Sequence, residues 1–200
     1  MAGEMSVPEV KASGVNSVID TLRSMAHPDS FERFVAELPP RSQALVRHPP
    51  IAMTWVPLED MAAIFRVAHQ RLFAGLDSRM EELGRKQMRS DLVGIYRFFL
   101  RFTTPAYVIG QTSKLYATYA RSCGQMRILS TAAGRVDFVL EGRPYTSTAF
   151  WRYFVGNVLG IVDHTRVSNP TVALVAGGVM KTGPTSSSVG TSSHAVRILM

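Results

Sequence analysis

Through the first half of the chain, apolar residues return every third or fourth position; in the last third they alternate or gather in short blocks. The first pattern predicts amphipathic helices and the second predicts strands. Val15, Val18, Ile19 and Leu22 place a helix over 15–24, which His27-Pro28-Asp29 breaks. Asp29 or Ser30 can cap a second helix carrying Phe31, Phe34, Val35 and Leu38. Pro39-Pro40 stops that helix, 41–48 makes a further turn or two, and Pro49-Pro50 closes the helical third. Thr54–Leu58 reads as a short extended segment. From Glu59, the spacing of Met61, Ile64, Phe65, Ala68, Leu72 and Leu76 predicts an amphipathic helix that Gly75 ends. Ser78 and Glu81 have capping-box spacing, so a new helix is expected there with Met80, Leu83 and Met88 on it. Leu92–Phe102 is apolar and aromatic enough to be a mostly buried helix. Thr104-Pro105 starts the next, which runs to about Ser122 with Gly124 as terminator.

Strand patterns follow. Gln125–Thr131 and Arg135–Leu140 flank Ala133-Gly134, as a hairpin requires. Phe150–Val162 is a last helix, with Gly156 and Gly160 on one face, where absent side chains permit close packing within the fold or in a dimer. Thr171–Ala176 and Ala195–Leu199 are the remaining strands. Between them, 177–193 is a Gly/Ser/Thr-rich stretch expected to be a mobile loop. The order predicts one α+β domain over 15–200, a helical N-terminal half packed on a small antiparallel sheet from the C-terminal half. Residues 1–14 read as a loose lead-in.

Composition narrows the class. Two hundred residues, 46% hydrophobic and 18% charged, suffice for a core without metals or disulfides. No apolar run is long enough to span a membrane, and Met1–Pro8 lacks the pattern of a secretory signal. One cysteine, Cys123, excludes an intramolecular disulfide and a Cys-rich zinc site, so a cytoplasmic protein is expected. The net charge of +7 is mostly arginine and densest over 66–101. Acidic residues are interleaved there, which describes solvated helix faces; nucleic acid is not an expected partner.

Reaction chemistry is missing. His27, His48, His69, His164 and His194 are scattered, without metal-ligand spacing, and no nucleophile elbow or phosphate loop is present. His164, after Asp163, suits a helix C-terminus better than an acid–base pair. The chain therefore reads as a non-enzyme. The aromatic surface of 92–102 exceeds what one helix needs. This suggests an apolar pocket between the 92–122 helices and the sheet, lined by Phe99, Tyr116, Cys123, Trp151 and Phe154. Arg97, Arg101 or Arg121 could anchor an acidic group there.

The order Gly14, Leu22-Arg23, Glu37-Leu38-Pro39, Trp55-Val56-Pro57, Leu83-Gly84-Arg85, Thr104-Pro105, Gly124 and Phe154-Val155-Gly156 with Gly160 resembles an uncharacterised myxobacterial family, over about residues 10–176. That family is distantly similar to 4-vinyl-reductase-type, haem-nitric-oxide-binding and TRAPP-type domains. The resemblance implies helices on one side of an antiparallel sheet, with a cleft that some relatives use for a small ligand. The Tyr-x-Ser-x-Arg motif for haem propionates is absent, and so is the Cys/His cluster of metal-binding members; no cofactor is expected. Two functions stay open: a cytosolic sensor or adaptor binding a small apolar ligand, or a homodimeric protein-interaction scaffold.

Overall fold

The computed structural model describes residues 7–92, 105–132, 134–144, 147–165, 170–175 and 192–199. The fold is α+β. A short strand β1 (Glu9–Lys11) leads directly into α1 (Ala12–Met25), followed by α2 (Pro28–Ala36) and α3 (Pro40–Arg47). Next come β2 (Trp55–Pro57) and α4 (Leu58–Val67), which widens into a π-turn over Ala68–Leu72. α5 (Asp77–Asp91) and α6 (Pro105–Tyr119) complete the helical half. Then follow β3 (Ala120–Arg121), β4 (Gln125–Ala132), β5 (Arg135–Arg143), α7 (Thr148–Val162), β6 (Thr171–Val175) and β7 (Ser192–Leu199). The main sheet is antiparallel in the order β4-β5-β7-β6, and a smaller sheet has the order β2-β1-β3.

Three expectations change. Residues 9–14 are no lead-in, because Glu9–Lys11 is the central strand of the small sheet and α1 begins at Ala12. The expected architecture holds, since the four-stranded sheet comes wholly from the C-terminal half and β1 and β2 only add a short second sheet beside the helices. Ser78 caps nothing: α5 starts one residue earlier, with Leu76 at the N-cap position and no side-chain cap bond. The helix expected to reach Ser122 ends at Tyr119, because Ala120-Arg121 pairs with β1. Gly124 (φ +83°) instead turns the chain into β4. The helix expected over 92–102 and most of the 177–193 stretch lie outside the described residues. Among the described residues, no helix is long and apolar enough to cross a membrane.

The core lies between α7, the inner face of β5 and β7, and helices α1, α4 and α5, with Leu22, Phe34, Ile64, Phe65, Phe138, Leu140 and Ile198 fully buried. Its tightest seam is the α5/α7 crossing. A Cβ on Gly84 would collide with the Tyr153 carbonyl and lie 2.9 Å from the Asn157 amide nitrogen. On Gly156 it would collide with the Glu81 carbonyl; on Gly160 it would lie 2.8 Å from that of Arg85. The two backbones therefore touch through Gly84, Gly156 and Gly160, placing the predicted glycine contact inside the fold. Polar bonds lock the crossing at both ends. Arg152 binds Asp77 (3.1 Å) and Glu81 (3.0 Å), while Arg85 grips Asp163 with two bonds (2.6 and 2.7 Å) and Arg89 adds a third (2.7 Å). In the middle, the buried Tyr153 hydroxyl donates to Gln87 (2.5 Å).

These contacts set two predictions. Gly156→Ala should destabilise the domain by roughly 2 kcal/mol or more, because helix backbone cannot yield to the added methyl. Gly14→Ala, within α1 with nothing inside 4 Å, should stabilise it by about 0.5–1 kcal/mol; urea denaturation of both variants reads the sign. Burial raises the Asp163 carboxyl, but hydrogen bonds and charge from Arg85 and Arg89 outweigh it and hold it below the usual aspartate range. A depressed folded-state value contributes stability that is complete above the unfolded value, near 4, and fades as pH falls through the folded one. Asp163→Asn should therefore weaken the domain at pH 7, and the gap from wild type should shrink below about pH 4, as urea titrations at several pH values would record.

Candidate functional site

Alternation along β5 turns Val136, Phe138 and Leu140 into the core. Continued unbroken, it would turn Arg143 outward with Asp137, Val139 and Glu141. It does not continue. Leu140 pairs with His194 and Arg143 with Ser192, so three steps on β5 match two on β7, and Gly142 (φ +68°) occupies the bulge. An extra residue inverts the facing of everything after it. Gly124 seats against this bulge, where a Cβ would collide with the Glu141 carbonyl and lie 2.7 Å from the Arg143 amide nitrogen. The outcome is a guanidinium inside the protein: Arg143 is 4% exposed.

Its surroundings are aromatic. The guanidinium lies 4.2 Å from the Phe150 ring centroid and 5.8 Å from that of Tyr116. Phe150 is fixed by the start of α7, whose N-cap Ser147 accepts a bond from the Phe150 backbone (3.2 Å). Phe150 also packs on Trp151 (5.0 Å) and Phe154 (5.8 Å), and Phe154 meets Phe138 edge-on at 6.1 Å. Arg143 Nη1 donates to the Tyr116 hydroxyl (2.7 Å), which donates to the Cys123 carbonyl (2.6 Å). No carboxylate pairs with Arg143 among the described residues, and its buried Nε has no hydrogen-bond partner. Among the described residues, cation–π contacts and one neutral acceptor are what meets the charge, with no counterion.

Cys123 closes this group from the side of β1. Its fully buried thiol donates to the carbonyls of Arg121 (3.1 Å) and Glu9 (3.3 Å). Burial pushes the thiol pKa up, and the nearby Arg143 charge only partly opposes that. Burial likewise raises Tyr116 above its ordinary value against the pull of Arg143. Both groups are therefore protonated hydrogen-bond partners at neutral pH.

Of the residues expected to line a pocket, Tyr116, Cys123, Trp151 and Phe154 are brought together around Arg143 or its Phe150 platform. Arg121 is not. It lies on the outer face of β3, paired with Glu9 and 4.4 Å from the Trp55 ring. Phe99, Arg97 and Arg101 lie outside the described residues. Arg143 was missed because strict alternation assigns it to the solvent face; the only local signal is Gly142 just before it. Asp163, beside His164, is a structural partner of Arg85 and Arg89. Two surface clefts, of about 390 Å³ by α1–α3 and about 490 Å³ between α1 and α5, lie away from Arg143.

The same architecture occurs in solved H-NOX domains. An oxygen-binding H-NOX domain related to soluble guanylate cyclases, solved as its oxygen complex, superposes with a TM-score of 0.68 at 13% identity, covering 94% of each chain. A substituted T. tengcongensis H-NOX gives 0.68 at 13% identity over 94% of this chain and 96% of that one. A substituted, unliganded H-NOX protein from K. algicida gives 0.65 at 10% identity over 94% and 95%. Identities this low show a shared fold alone. No family model matches the chain, and no curated protein matches it either.

Other structures of this fold concern haem, so the donor set here needs testing against it. Haem iron takes an axial His, thiolate, Met or Tyr ligand. Around Arg143, the Cys123 thiol is protonated and turned onto two carbonyls, and the Tyr116 hydroxyl is held between Arg143 and a carbonyl. His69, far along the chain, binds Asp77 at 3.1 Å. The Cys123 and Tyr116 side chains beside Arg143 are thus held by other partners and not placed as haem ligands.

The thiol geometry also argues against a reactive or acylated cysteine. Cys123 should react with Ellman's reagent at pH 7.5 at least about a hundredfold more slowly in the folded protein than in guanidinium chloride. Comparable rates in the two states would contradict this burial.

Proposed function

We propose that this domain is a non-enzymatic sensor that binds a small, largely apolar molecule carrying an acidic group, with Arg143 as its anchor. The observation that carries the reading is the buried, uncompensated guanidinium. A charge in that position is costly when empty and becomes favourable when a carboxylate or phosphate supplies hydrogen bonds to the free Nε. Phe150, Phe154, Trp151 and Tyr116 would enclose the apolar body. Likeness of fold to H-NOX domains supports ligand sensing as the class of activity. A cytoplasmic location, and kinship with the myxobacterial, 4-vinyl-reductase-type and TRAPP-type domains, belong to the same proposal. No observation favours the homodimeric scaffold over this reading.

The test uses Arg143→Met, which keeps the length of the side chain and removes its charge. With the ligand absent, the variant should be more stable than wild type by about 1–3 kcal/mol, because a buried unpaired charge is gone. Thermal shifts with medium-chain fatty acids and aromatic carboxylates should stabilise wild type and leave Arg143→Met unmoved. A variant that is less stable than wild type, together with a wild type indifferent to every acid, would sink the proposal.

A further inference from the structure

The small sheet has an inner face of Val10, Val56 and Ala120, all buried, so alternation turns Lys11, Trp55 and Arg121 outward. Lys11 Nζ and the Arg121 guanidinium each lie 4.4 Å from the Trp55 ring centroid. Glu9, the carboxylate beside them, is already paired with Arg121. Directly before β2, the chain makes a turn in which Ile51 is 77% and Met53 73% exposed.

That turn is rigidly held. The Ala12 and Ser13 amides donate to the carbonyls of Thr54 and Ala52 (3.0 Å each), and Thr54 folds back on the Ile51 carbonyl through its amide (2.9 Å) and hydroxyl (2.7 Å). Asn16 Nδ2 donates to the Pro50 carbonyl (2.9 Å) and Lys11 Nζ to that of Met53 (3.3 Å). A purely structural account explains the backbone: these carbonyls satisfy free amides at the start of α1. It does not explain the side chains, since such capping is indifferent to what stands at 51 and 53. Two large apolar groups are held out in water on a preorganised turn, beside an aromatic ring and cations.

We propose that this face docks on an anionic lipid surface, with Ile51 and Met53 entering the headgroup–acyl boundary. Trp55 and the half-exposed Tyr119, which adjoins β3, then lie at headgroup level, and Lys11, with Arg121 alongside in its pair with Glu9, faces the lipid phosphates. Apolar tips, interfacial aromatics and flanking cations are the combination such surfaces bind. A second copy is the poorer occupant, because two-fold pairing of this face would set Lys11 and Arg121 against their own equivalents. The turn is also a convex knob, which a bilayer accommodates without a preformed groove.

The decisive experiment is co-sedimentation of the full chain with vesicles of phosphatidylcholine, alone or with about a third phosphatidylserine, at about 0.1 M salt. Wild type should pellet with the serine-containing vesicles and stay in solution with the neutral ones. Ile51→Ser/Met53→Ser should lower the partition coefficient at least about tenfold with an unchanged melting curve. Leu76→Ser, at an exposed apolar site elsewhere, should not change it. Wild type that remains in the supernatant overturns the proposal, as does equal pelleting with both vesicles or by the double variant. Light scattering of the same samples separates the rival: a dimer that the double variant dissolves, with no vesicle binding, assigns the knob to a protein contact instead.

Discussion

Backbone contact between α5 and α7, possible only because Gly84, Gly156 and Gly160 lack side chains, fixes the position of everything on the far side of α7. The helices cannot slide, since Arg152 at one end and Asp163 at the other are bonded across the crossing. α7 is thereby a fixed floor for the main sheet, and Phe150 at its first turn is a fixed platform. Arg143 rests on that platform. The bulge at Gly142 turns the arginine inward, and the α5/α7 crossing decides what it meets there.

The energetics of that meeting set the site apart from the rest of the interior. Other charged groups with little exposure are compensated: Asp137 accepts from Arg135, Arg197 and Ser130, and Asp60 meets Arg41 and Ser42. Arg143 has aromatic faces, a tyrosine hydroxyl and an unused Nε. A buried charge left without its counterion costs several kcal/mol, on the order of 3–5. Domains retain such deficits where binding offsets them. The fold likeness to H-NOX domains is a likeness of architecture alone, and the proposed role rests on the surroundings of Arg143.

Much of the fold could be read from periodicity, because most elements obey one rule along their whole length. The helical spacing of Val15–Leu22 and Met61–Ala68 and the alternation of Val136–Leu140 led to nearly correct elements. Where a long-range partner overrode local pattern, the reading failed. Nothing near Glu9 announces that it will pair with Pro57 and Arg121, and nothing in Ala120-Arg121 says that the helix must stop to join it. The grouping around Arg143, a candidate site, was legible in part for the same reason. Tyr116, Cys123, Trp151 and Phe154 stand out by residue type and converge, whereas Arg143 depends on a one-residue bulge, and Arg121 is drawn away by Glu9.

The claim that Arg143 awaits an acidic ligand is tested most directly by native mass spectrometry of the freshly purified protein, repeated after denaturation. The account predicts extra mass that leaves on unfolding and belongs to an apolar acid, and that is missing from protein purified as Arg143→Met. A clean apo mass for wild type, or a bound species retained equally without the arginine, would contradict it.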